Sequence, residues 1–253
     1  MGKLEVQGLA LSWGGAPVVA DVSFSAADGA LACLVGRSGT GKTTLFHAIA
    51  GLTRPDAGRV LVDGRDVTGT PGSVSYMLQK DLLLAQHTVI DNVALPLRVR
   101  GASKAEARAR AAEQFAAFGL EGTERLYPSQ LSGGMRQRAA LLRTCLMDND
   151  VILMDEPFSA LDALTRRDMR AWLLERLGAA RLTGLLVTHD VDEAIALADV
   201  VLVLARSGRT GGAATIAGAV EVPVPRSQRD GFMLTDQALR LKRDVLGLLD
   251  GNW

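Results

Sequence analysis

Apolar positions along the first thirty residues alternate. Leu4 and Val6, then Leu9 and Leu11, read as a strand with one buried face; a turn at Gly14-Gly15-Ala16-Pro17 leads to a second alternating piece from Val18 to Phe24. This pair predicts an antiparallel edge. Leu31 to Val35, Val151 to Met154 and Leu185 to Val187 are instead continuous apolar runs, which suit strands covered on both faces in a parallel sheet. A further strand is expected at Arg59 to Val62, closed by an Asp63-Gly64 turn, and another at Val74 to Leu78. Between about Thr88 and Asp150 the alternation gives way to helical periods. Ser103 and Glu106 have capping-box spacing, and Ala111, Phe115 and Phe118 fall on one helix face. Near the end, Ala238, Leu241, Val245 and Leu248 share the face of a last helix.

The longest apolar stretch, around Val200 to Ala205, is far short of the ~20 residues that span a bilayer. The first residues pass directly into strand-like alternation, not into a secretory leader. A soluble chain is therefore expected, with any membrane role carried by a partner. Of the 253 residues, 48% are hydrophobic, enough for a sizeable core. The 28 basic and 28 acidic side chains cancel, which argues against a nucleic-acid polyanion as the main partner. Cys33 and Cys145 lie among apolar residues without metal-ligand spacing and read as buried hydrophobes in a reducing compartment.

Candidate chemistry collects at strand ends. Between the Leu31 to Val35 run and the helix-like Leu45, Phe46, Ala48, Ile49 stands GRSGTGKTT: Gly36, Arg37, Ser38, Gly39, Thr40, Gly41, Lys42, Thr43 and Thr44. Glycines at the turn let several backbone N–H groups converge, and the helix start adds partial positive charge, so the loop suits a polyphosphate. In that pattern Lys42 reaches the outer phosphates and the Thr43 hydroxyl ligates Mg²⁺. Asp155 and Glu156 follow the Val151 to Met154 run, where open α/β sheets bind ligands; Asp155 is placed to hold Mg²⁺ and Glu156 to take a proton from water. Gln79 after one strand and His189 after another are further candidates, for a metal or water and for the terminal phosphate respectively. His47 and His87 lack such placement. Trp13, ending the first strand, could stack on a purine. In LSGGMRQRAALLRT, from Leu131 to Thr144, Ser132 can cap a helix whose first N–H groups Gly133 and Gly134 leave uncovered, a second anion-binding helix start.

Over nearly its whole length this constellation resembles the nucleotide-binding subunit of an ABC transporter. GRSGTGKTT is similar to Walker A, Gln79 to the Q-loop, LSGGMRQ (131–137) to the family signature, VILMDE (151–156) to Walker B, SALD (159–162) to the D-loop and His189 to the switch histidine. The resemblance implies an α/β P-loop NTPase core with an antiparallel β edge and an inserted α-helical subdomain. It implies one domain over 1–253, with the nucleotide core in 1–87 and 151–205, the helical subdomain in 88–150 and a tail in 206–253. It further implies that two such domains meet head to tail, each ATP lying between the Walker A of one and the signature of the other. Trp13, residues 36–44, Gln79, Ser132, Gly133, Gly134 and Asp162 would then contact nucleotide, with Thr43, Gln79 and Asp155 around Mg²⁺, Glu156 as general base and His189 orienting the γ-phosphate.

Implied partners are a second ATPase subunit, expected to be another copy, integral membrane permease subunits and, indirectly, a periplasmic solute-binding protein, with the chain at the cytoplasmic face of the inner membrane. Family permeases press on the segment from Gln79 to Leu97, where Leu82, Leu83 and Leu84 are expected to be exposed. Ala85-Gln86 stands where relatives often carry proline or tryptophan. The ending from Arg206 to Arg226 resembles nitrate, sulfonate, taurine and thiamine-precursor importer ATPases, although Thr210 to Thr215 is longer and richer in glycine than usual. The residues after His189 leave no room for a large regulatory barrel. Competing readings are a lipid or lipoprotein extraction or export ATPase, and a non-transport ABC ATPase acting on ribosomes or DNA. A ribosomal protein of the family would carry two signatures, and a DNA-repair one a long coiled-coil insertion; neither feature is present.

Overall fold

Strands whose residues are apolar on every position need cover on both sides, and the architecture supplies it. A computed structural model describes residues 2–159, 161–206, 212–229 and 231–251. Thr210 and Gly211 of the glycine-rich tail segment and Ala160 of segment 159–162 lie outside these. The chain begins with β1 (Leu4–Trp13), β2 (Ala16–Ala26) and β3 (Leu31–Val35), then α1 (Lys42–Ile49), β4 (Ala57–Val62), β5 (Arg65–Asp66) and β6 (Ser75–Met77). Four helices follow: α2 (Val89–Val93), α3 (Leu95–Val99), α4 (Lys104–Ala112) and α5 (Gly133–Cys145). Strand and helix then alternate through β7 (Val151–Asp155), α6 (Ala163–Ala180), β8 (Thr183–Thr188), α7 (Val191–Leu197), β9 (Val200–Arg206) and β10 (Ala214–Glu221), ending in α8 (Asp236–Leu249).

Among the described residues these strands form one sheet in the order β5-β4-β1-β2-β10-β9-β3-β8-β7-β6. From β9 to β6 every pairing is parallel; β1 with β2, β1 with β4 and β4 with β5 are antiparallel. The expected antiparallel edge is therefore present. The region read as a tail does more than trail behind. Its strand β10 pairs antiparallel with β9 and touches β2 in parallel at Ala214 and Val19, stitching the edge to the parallel core.

Each central strand feeds two apolar layers. Leu31, Cys33 and Val35 of β3, with Ile152 and Met154 of β7, face a cluster that includes Val89, Phe115 and Leu142 of the helical insertion and Val245 of α8. Ala32 and Leu34, with Val151 and Leu153, face α1 and the antiparallel strands through Leu45, Phe46 and Val6. The insertion between β6 and β7 thus shares its core with the sheet.

The period over Ala111, Phe115 and Phe118 predicts one continuous helix, and there the chain departs from it. All three side chains are buried, but α4 ends at Ala112, and the chain descends through tight turns to Gly119 at φ 61°. The amides of residues 114, 115, 118 and 119 donate to carbonyls three residues earlier, the tighter 3₁₀ pattern, and Gly119 takes the left-handed conformation that ends the run. Of the three leucines expected at the surface, Leu82 is exposed, whereas Leu83 packs on the main core and Leu84 is half-buried. Among the described residues no helix is long and apolar enough to cross a membrane.

The antiparallel edge contains a bulge. Between Gln7↔Arg59 and Ala10↔Ala57, β1 spends one residue more than β4, and Gly8 and Gly58 take φ of 58° and 82°. A Cβ on Gly58 would stand 2.3 Å from the Gly8 carbonyl oxygen. Backbone cannot retreat as a side-chain tip can, so Gly58→Ala is expected to lower stability by about 2 kcal/mol or more in urea unfolding. An unchanged midpoint would show that the bulge is not needed.

Candidate functional site

Four neighbouring parallel strands end along one edge, and each delivers part of the site as it leaves the sheet. Strand β3 passes into the loop at Gly36, β8 into His189, β7 ends on Asp155 and continues to Glu156, and β6 is followed two residues on by Gln79. The carboxyl ends of such strands open onto a crevice in which ligands bind.

The loop is shaped by close approach. A Cβ on Gly36 would lie 2.7 Å from the Leu204 carbonyl oxygen, and one on Gly41, at φ 96°, would lie 2.7 Å from Val18 Cγ1. Between these two points Arg37, Ser38 and Gly39 are exposed, and Thr40 donates from its hydroxyl to the Arg37 carbonyl at 2.8 Å. Gly41 caps α1 without a side chain, so the amides of the first turn stay available to an anion. Lys42 is 8% exposed, and its ammonium donates to the carbonyls of Gly36 (2.8 Å) and Arg37 (3.1 Å). Burial pulls its pKa below the ordinary lysine value, against the opposing pull of Glu156 and Asp155. At the rim Arg37 pairs with Asp250 at 2.6 Å, and Arg206 donates to the Gly39 carbonyl at 2.9 Å.

Thr43 Oγ1 donates to Asp155 Oδ2 at 3.3 Å, and the Tyr76 hydroxyl reaches the same oxygen at 3.5 Å. Asp155 is buried, and that burial raises its pKa despite the Thr43 bond. A hydroxyl and a buried carboxylate beside a phosphate loop fit Mg²⁺, which is held by one or two protein oxygens together with substrate phosphates.

Glu156 takes φ of 46°, uncommon for glutamate, while its amide donates to the Val187 carbonyl of β8 at 3.0 Å. Its two carboxylate oxygens meet different partners. Gln79 Nε2 donates to Oε2 at 3.0 Å, and His189 Nδ1 lies 3.4 Å from Oε1. The structure therefore gathers residues 36–44, Gln79, Asp155, Glu156 and His189 in one place, with the Gln79 amide nitrogen directed at Glu156.

Trp13, Ser132, Gly133, Gly134 and Asp162 are not tied to that group by any hydrogen bond or ion pair among the described residues. Trp13 stands 75% exposed at the end of β1. Ser132 caps α5 by accepting from the Met135 amide at 3.2 Å, with Gly133 exposed beside it. Asp162 caps α6, accepting from the Leu164 and Thr165 amides and from the Thr165 hydroxyl, and this last bond chiefly lowers its pKa. Sequence reasoning missed Tyr76. Its signal was a hydroxyl-bearing aromatic at mid-strand on β6, registered against Leu153 two residues before Asp155.

A family model described as "ABC transporter" matches residues 19–159, more than half of the chain. The chain belongs to the ABC transporter family. Among its relatives is the formylaminopyrimidine import ATP-binding protein ThiZ of Halalkalibacterium halodurans, 40% identical over 92% of this chain and 90% of that protein. The sulfate/thiosulfate import ATP-binding protein CysA of Mycobacterium tuberculosis is 44% identical over 72% of this chain, a match that spans only 53% of CysA. The dimeric, post-hydrolysis structure of the ATP-binding cassette MJ0796 bound to ADP and Pi has 25% identity and a TM-score of 0.73, covering 88% of this chain and all of that one. A second cassette, MJ1267, shares the fold at TM-score 0.77, with 21% identity and coverage of 95% of this chain and 98% of that one. The ABC ATPase fold expected from the motifs is thus the fold found.

The raised pKa of Asp155 sets the sign of a pH effect. A carboxyl that holds its proton more tightly when folded opposes folding once ionised. That penalty grows as pH rises from the ordinary value of 3.8 through the raised one and is complete above it. Asp155→Asn removes the charge, so the nucleotide-free variant is expected to melt about 2–4 °C higher at pH 7.5, with the gap closing toward pH 4. A lower melting temperature at neutral pH would contradict this account.

Proposed function

We propose that this chain is the ATP-hydrolysing subunit of a bacterial ABC importer, working in pairs at the cytoplasmic face of the inner membrane and driving uptake of a small solute through separate permease subunits. The observation that carries the reading is the convergence of Gln79 and His189 on Glu156, beside a phosphate loop whose lysine is already buried. The likeness to ThiZ, a formylaminopyrimidine import protein, over most of both chains supports import and a thiamine-precursor type of solute, and the resemblance of residues 206–226 extends the candidates to nitrate, sulfonate and taurine. A periplasmic solute-binding protein would deliver that solute. The surface around exposed Leu82 suits the permease, and the division into core, helical insertion 88–150 and tail 206–253 follows from the same reading.

In this mechanism the amides of residues 36–44 and the start of α1 receive the phosphates, and Lys42 adds a positive charge that burial keeps effective. Trp13 gives the base a stacking surface. Thr43 and Asp155 would hold Mg²⁺, with the Gln79 amide oxygen within the same group; when bound, the ion neutralises phosphate charge. Glu156 accepts the proton of the attacking water, while Gln79 donates to one carboxylate oxygen and His189, beside the other, orients the γ-phosphate. Ser132, Gly133, Gly134 and Asp162 face the nucleotide held by the second chain.

Glu156→Gln keeps the shape of the site and removes the base. It is expected to retain ATP affinity, to hydrolyse at least ~100-fold more slowly and to elute as a dimer when ATP is present. Hydrolysis at the unsubstituted rate would take the base role away from Glu156.

A further inference from the structure

His189 is 61% exposed at its side chain, and its polar contact with the site is the one at 3.4 Å to Glu156. A side chain so lightly held is placed by its backbone, and both flanking residues are anchored to one ion pair in which Glu193 is buried and Arg170 half-buried. On one side the Thr188 hydroxyl donates to Glu193 Oε2, and the residue itself is 1% exposed. On the other, Asp190 accepts from the Glu193 amide and lies 3.6 Å from the Arg170 guanidinium. Glu193, 4% exposed on α7, takes two bonds from Arg170 of α6 on its other oxygen, at 2.9 and 2.6 Å. A cavity of about 40 Å³ is lined by Glu156, Thr188, His189, Asp190, Glu193 and Arg166, so Glu193 and Glu156 border the same space.

We propose that Glu193 is a positioning residue for hydrolysis, acting through the Thr188–His189–Asp190 segment and anchored by Arg170. The proposal rests on the ATPase reading above and deepens it. Arg170 lies two turns into the helix that Asp162 caps, so the pair also ties the segment carrying His189 to the segment expected to face the second chain. A buried ion pair is poor evidence of stabilisation, because desolvation of both charges cancels most of their attraction. Placement of a neighbouring backbone gives it a reason to be there. Sequence spacing alone disguises the role, since Asp190 and Glu193 stand three apart, as in a helix cap.

A residue that works through His189 has nothing left to act on once the imidazole is gone. Glu193→Gln keeps an acceptor for Thr188 and loses the charge that holds Arg170. In the full chain it is expected to lower kcat for MgATP about tenfold with KM within about twofold, but to lower the residual kcat of His189→Ala by less than about twofold. Thr188→Val, which leaves the Arg170–Glu193 pair intact, is expected to behave alike in both backgrounds and keeps the test available if Glu193→Gln folds poorly. Equal losses with and without His189, or a loss confined to KM, overturn the assignment. Hydrolysis by the unsubstituted chain is the control: its absence would count against the ATPase reading and this assignment with it, whereas hydrolysis with additive losses sinks this assignment alone.

Discussion

The in-register parallel pairing of β3, β8, β7 and β6 sets where Gly36, His189, Glu156 and Gln79 leave the sheet. Val35 stands opposite Thr188, Asp155 opposite Val187, and Met154 opposite Met77. The next residues along, Gly36, His189, Glu156 and, one later, Gln79, emerge on the same edge. A slip of one residue in any pairing would exchange the two buried faces of that strand, moving Ile152 and Met154 into the layer now filled by Val151 and Leu153. Two filled layers make that exchange costly. The packing that stabilises the sheet is therefore also what holds Glu156 within reach of both Gln79 and His189.

Magnitudes separate what shapes the phosphate loop from what merely touches it. Arg37 and Asp250 pair at 2.6 Å, yet their side chains are 70% and 57% exposed, and a pair in that much water contributes about 0–1 kcal/mol. The glycines answer to harder limits: the contacts a Cβ would make at Gly36 and Gly41 are closer than atoms can approach. Lys42 and Asp155 are buried against their own preference, each with its pKa moved toward the neutral form by desolvation. A polyphosphate beside Lys42 and a cation beside Asp155 would each favour the charged form of that group.

Much of this was legible in the sequence. The glycine spacing from Gly36 to Gly41, the continuous run ending in Asp155 and the run ending before His189 carry local signals that survive without knowledge of the fold. What could not be read depends on distant contacts. The helical period over Ala111, Phe115 and Phe118 marked burial correctly, but periodicity cannot distinguish a helix from tight turns that bury the same side chains. Leu83 reads like Leu82 in the chain, and only the position of the helical insertion decides which one meets the core. The sheet membership of β10 is likewise a long-range pairing, and Glu193 resembles a cap residue until Arg170 arrives from another helix.

The paired arrangement proposed here has an energetic rationale in what one chain leaves open. The start of α5 presents Ser132 and Gly133 to solvent, and Trp13 presents most of its ring, while the groups around Glu156 are already engaged with one another. An exposed aromatic or a solvent-facing helix start is unremarkable alone. Their significance would lie in being the pieces that the gathered cluster lacks, a purine platform and a second set of amides. If nucleotide binds only when both chains contribute, its binding energy becomes association energy: ligand at 100 times its dissociation constant adds about 2.7 kcal/mol, roughly a hundredfold in the pairing equilibrium. Cleavage followed by release of the products would withdraw that contribution. In the proposed pair, turnover at Glu156 would then set how long the two chains stay together.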